Sequence, residues 1–117
     1  MQPIYDCSGQ VVAWLDRQHI YHLDGSHAAF INGKNVHGHI GQHLGILENG
    51  LFRDHSGGAV AFMQGARGGP ILPIPAIPPI PPIPSIPPIP AIPAIPPIPA
   101  IPSIGWGSLS WDKFVNA

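Results

Sequence analysis

The sequence predicts an all-β protein: four β-hairpin repeats in a pseudo-fourfold up-and-down meander or shallow barrel, followed by a polyproline II rod and a short C-terminal helical turn. Three observations predict it. A short unit, IYHLDGSHAAFI at residues 20–31, recurs three more times in the first half of the chain. Asn-Gly dipeptides fall between copies, where tight hairpin turns are needed. Beyond residue 70 the composition changes abruptly to a triplet of Ile, Pro and a third residue.

The other copies are residues 4–15 (IYDCSGQVVAWL), 36–47 (VHGHIGQHLGIL) and 51–63 (LFRDHSGGAVAFM, read as one residue longer at Ser56), so they start about every sixteen residues. Each opens on an aliphatic residue followed by Tyr5, Tyr21, His37 or Phe52, turns at Gly9, Gly25, Gly41 or Gly57-Gly58, and closes on a bulky pair such as Trp14-Leu15 or Phe62-Met63. Aromatic and β-branched residues flanking a glycine turn are the pattern of a hairpin. The links, such as Asn32-Gly33-Lys34-Asn35 and Glu48-Asn49-Gly50, suit the positive φ of a further tight turn. The copies therefore join as hairpins into an eight-stranded meander.

Ala13, Ala29, Gly45 and Ala61 occupy one equivalent position, each just before a large residue. Small side chains at four related places imply close approach near a symmetry axis. Residues on both faces of these strands are largely apolar, so the meander needs closure on one side and a cover on the other.

From Ile71 to Ile104 every third residue is Ile, and Pro follows nearly all of them. Polyproline II has three residues per turn and rises about 3.1 Å per residue, so a straight run would be a rod on the order of 100 Å with one edge of isoleucine only. Such an edge should be covered. After it, GWGSLSWDKFVNA offers Ser110 as an N-cap and Asp112 in the first turn of a short helix. Trp106, Trp111 and Phe114 are the candidate anchor: they need a surface, either this domain or a partner. The implied divisions are 1–66, the repeat domain; 67–104, the rod; and 105–117, the aromatic anchor.

Function is less legible. The formal net charge is −1 and charged residues make up 9% of the chain, which disfavours nucleic acid. The N-terminal residues show no basic region followed by an apolar core, and a polyproline run would leave its polar groups unsatisfied in lipid, so the expected setting is cytoplasmic and away from the membrane. A single cysteine, Cys7, forms no internal disulfide. Seven histidines raise the question of a metal. His37, His39, His43 and His55 are the candidate ligands, with His37-x-His39 on one strand face, set against polar strand and turn histidines as the plainer reading. No nucleophile elbow, Walker loop or dinucleotide fingerprint occurs, so no cofactor and no catalytic residue is expected.

The fourfold repeat, the stretch GQHLGILENGLFRDHSGGAVAFMQGARGGP and the Trp-containing C-terminus together resemble the bacterial four-fold β-flower domain family. The resemblance covers about residues 2–70 and implies a shallow symmetric arrangement of hairpin petals; it implies no activity. The expectation is a non-enzymatic structural or interaction module that engages a protein partner, or self-associates as a homo-oligomer, through the Ile-Pro tail. The alternative is a small-molecule or lipid-binding module that uses the axial opening or concave face.

Overall fold

The computed structural model describes residues 1–84, 92–97, 100–103 and 105–117. Eight strands run β1 (Gln2–Tyr5), β2 (Val11–Asp16), β3 (His19–Tyr21), β4 (His27–Asn32), β5 (Asn35–Gly38), β6 (His43–Glu48), β7 (Leu51–Arg53) and β8 (Ala59–Met63), and a short helix α1 (Trp111–Val115) follows. Every strand pairs antiparallel with its sequence neighbour, and β1 pairs with β8 through Ile4↔Met63 and Tyr5↔Phe62. The sheet is thus a closed barrel with no free edge.

The repeat is more regular than the sequence reading has it. The fourth copy is not longer at Ser56; it begins at Phe52, and the cross-strand pairs Ile4↔Ala13, Ile20↔Ala29, Val36↔Gly45 and Phe52↔Ala61 are equivalent at a constant spacing of sixteen. Every copy also carries a β-bulge. In all four, the ladder skips one residue just beyond this pair, namely Val12, Ala28, Leu44 and Val60. A bulge bends the strand and redirects the extra side chain; Ala28, Leu44 and Val60 join the core cluster and the partly buried Val12 packs against it.

That core holds Ile4, Ile20, Val36 and Phe52 together with the small column, and Ala13, Ala29 and Ala61 in it are fully buried. One end is filled by α1. Ser110 caps the helix by accepting from Lys113 N, and Trp111, Phe114 and Val115 enter the cluster. The Phe52 ring lies 5.3 Å from Trp111 and 6.5 Å from Phe114, both edge-on, a favourable aromatic arrangement. Trp111 and Phe114 are therefore spent on their own barrel and are not offered to a partner, since filling an end that small residues leave open buries more apolar area than any exposed pose. Trp106 is half-buried, 6.1 Å from Phe62 and bridged by backbone to Ala59.

The tail departs from the straight rod. Its described residues lie against the outside of the barrel, and the principal extents are only 35 × 35 × 21 Å. The described isoleucines of the edge face away from the barrel: eight of them are 90–96% exposed, so packing on the barrel does not cover them. Ile86, Ile89, Ile98 and Ile104 of that edge lie outside the described residues.

Candidate functional site

The four petal turns are built alike. In each, the residue at the start of the turn receives the glycine N–H at about 3 Å, as in Gly9 N to Asp6 O (3.0 Å), Gly25 N to His22 O (3.0 Å), Gly41 N to Gly38 O (2.9 Å) and Gly57 N to Asp54 O (3.1 Å). All four glycines have φ between 84° and 95°, where a side chain is strained. In the first and fourth copies Asp6 and Asp54 tie the turn further, Oδ1 accepting from the backbone of Ser8 and Ser56 at 2.9 Å.

The tail runs over these turns. Ala76 N donates to Gly9 O at 2.9 Å, Ala94 N to Gly41 O at 2.9 Å and Ser103 N to Gly57 O at 3.1 Å. At the second petal the Ile83 carbonyl approaches Gly25 so closely that a Cβ there would sit 2.6 Å from it, and Ile74 O stands in the same relation to Gly9. Two turns are also gripped from beneath. Arg53, 3% exposed, donates from Nη1 to both Gly57 O and Ser103 O at 2.8 Å and from Nη2 to Gly68 O at 3.2 Å. One buried guanidinium thereby holds petal, strap and linker, its desolvation offset by three carbonyls. His37 is its counterpart sixteen residues earlier: fully buried, Nδ1 3.2 Å from Gly41 O, and stacked on Phe30 at 5.3 Å.

Five of the remaining histidines, all but His22, form two equivalent ladders on the outer wall. In one, His19 Nδ1 lies 3.0 Å from His27 Nε2, and His27 Nδ1 lies 2.8 Å from His39 Nδ1. Its translate by one repeat has Asn35 Oδ1 3.1 Å from His43 Nε2 and His43 Nδ1 2.8 Å from His55 Nε2. The central rings resist protonation: partial burial, then the neighbouring His19 and His39, hold His27 down to about 4, and burial and His55 lower His43. The expected His37-x-His39 face is not formed, because His37 turns inward to its own petal while His39 sits in the turn beyond β5 and meets His27. His43 and His55 do meet, yet among the described residues no three His, Cys, Asp or Glu side chains converge as a metal would require. Between the Gly41 and Gly57 anchors the strap bridges a pocket of about 390 Å³, with His43, Ile46, Arg53 and His55 on the barrel side and Pro97 and Ala100 on the tail side.

Sequence reasoning missed Arg53 and the turn carbonyls as the tail's partners. A signal was present: Ala76, Ser85, Ala94 and Ser103 are nine residues apart, a longer phase than the Ile-Pro-x triplet. Ser85 lies outside the described residues.

A closed barrel of four equivalent hairpins, strapped by its own proline segment and plugged by its own helix, defines a small internally repeated β protein. The chain belongs to the 4-fold beta flower protein family, whose model matches residues 2–115 and so takes in the tail and α1 as well as the barrel. No curated protein and no solved structure matches the chain. No described helix is long and apolar enough to cross a membrane.

Proposed function

We propose that this protein is a non-enzymatic interaction module whose working surface is the isoleucine belt around the barrel, and that its partner is a protein or a second copy of the chain. The observation that carries the reading is the near-complete exposure of eight tail isoleucines, 90–96% each, on a backbone anchored at the petal turns. A side chain of this kind gains about 1.5–3 kcal/mol on leaving water. Because the strap is already ordered, association does not have to order it again, which removes the largest cost of docking a flexible peptide. The small-molecule or lipid-binding alternative has less support, since Phe52, Trp111 and Phe114 fill the barrel end where an axial opening would lie.

Replacing every isoleucine across residues 74–101 with serine erases the belt while leaving proline spacing and backbone donors in place. The expected result is loss of self-association in sedimentation velocity and of partner capture. Unchanged oligomeric state together with unchanged capture would refute the proposal.

A further inference from the structure

We infer that each petal turn is a binding site for polyproline II backbone, and that the four turns together recognise proline-rich chains carrying a nine-residue phase, Ile-Pro-(Ala/Ser)-Ile-Pro-Pro-Ile-Pro-x. The occupant proposed in trans is the tail of a second copy. This goes beyond the belt reading, for it concerns the side of the tail opposite the isoleucines.

The first support is the placement of the donors. Ala94 and Ser103 are nine residues apart and Ala76 is eighteen before Ala94, and these three N–H groups reach Gly41, Gly57 and Gly9, which are themselves sixteen or thirty-two apart. One phase of the tail thus matches one repeat of the barrel. The second support is what the sequence allows at each place in the phase. The place that donates at Ala76, Ala94 and Ser103 is never proline in the sequence, which has Ser85 at the fourth, whereas the place three residues before it accepts either proline or alanine (Pro73, Pro82, Ala91, Ala100). Proline has no N–H, so the exclusion falls where the hydrogen bond is made. The third is steric: the turn glycines leave room for the Ile74 and Ile83 carbonyls that any side chain would close.

Geometry closes the argument. Nine residues of polyproline II span about 28 Å, four such spans about 112 Å, and a circle of that circumference has a diameter of about 36 Å. The molecule measures 35 × 35 Å across its two long axes. Nine residues per petal is the phase that lets an extended strap follow the rim without slack. Every contact named is to tail backbone, with isoleucine side chains turned away, so nothing in the recognition requires that tail and barrel share a chain.

The test uses a full-length Ala76→Pro, Ala94→Pro, Ser103→Pro variant, whose own tail lacks the three donors, and a fluorescent synthetic peptide of residues 71–104. The native peptide should bind the variant by anisotropy at least tenfold more tightly than a peptide with proline at positions 76, 85, 94 and 103. Equal affinity, or no binding of the native peptide, overturns the inference. Should the triple variant not fold, single variants decide. Ala94→Pro should raise hydrogen exchange at the amides of residues 38–43 at least tenfold, while Ala100→Pro, which places proline where Pro73 and Pro82 already stand, should leave them as in the wild type. Identical exchange in the two variants overturns it equally. All isoleucines are retained throughout, so failure here is separable from failure of the belt reading.

Discussion

Gly45 is the one member of the small column that has lost even a methyl group, and the reason is local. A Cβ built there collides with the backbone oxygen of Arg53 and comes within 3.0 Å of the Phe114 ring. The oxygen cannot retreat cheaply, because Arg53 pairs with Ile46 across β6 and β7 and its side chain is held by three carbonyls. Gly45→Ala should therefore overpack the core by about 1–3 kcal/mol. At about 4–8 °C per kcal/mol for a domain of this size, the midpoint should fall by roughly 5–20 °C in calorimetry. Lys34→Ala, on an exposed link, should change stability by no more than about 0.5 kcal/mol. Adding Phe114→Leu to Gly45→Ala separates the two clashes: partial recovery assigns the strain to the ring, none assigns it to the Arg53 carbonyl. A Gly45→Ala protein that melts with the wild type would refute the reasoning.

Two further outcomes follow from the core and the ladders. Phe114→Ala removes a fully buried ring from the barrel end and should cost about 3–5 kcal/mol, read as a shift in urea midpoint; a loss below 1 kcal/mol would mean that α1 is not part of the core. His27 is held to about 4 in the folded state against an ordinary value of 6.5, so the unfolded chain binds its proton first as pH falls. Stability should accordingly be lost between about pH 6.5 and pH 4 and level off below, by on the order of 1 kcal/mol once solvent screening of a half-buried group is allowed for, and His27→Asn should flatten that part of the profile.

The barrel was readable because its signals are local and repeated: a glycine at every petal turn, Asn-Gly at two of the three links, and the small column before each large residue. The frame of the fourth copy was not, because Leu51 and Phe52 are both apolar and both buried, and only the pairing Phe52↔Ala61 distinguishes which one joins the cluster of Ile4, Ile20 and Val36. The bulges were invisible for a related reason, since Val12, Ala28, Leu44 and Val60 sit in runs already apolar on both faces. The triplet period of the tail masked its nine-residue phase, which has meaning only beside a barrel that repeats at the matching arc. Histidines two apart suggested a shared strand face, but β5 ends at Gly38 and the turn sends His39 to the neighbouring petal.

The exposed belt also bears on aggregation. A long apolar strip at a surface ordinarily threatens cross-β stacking, which needs a row of free backbone donors and acceptors in an extended edge. Here the barrel has no edge strand, and the strip itself carries proline after nearly every isoleucine, so its backbone cannot be recruited into a ladder. Contact through the belt is confined to side chains meeting side chains. The association proposed above would therefore take its geometry from the ring and would not template fibrils.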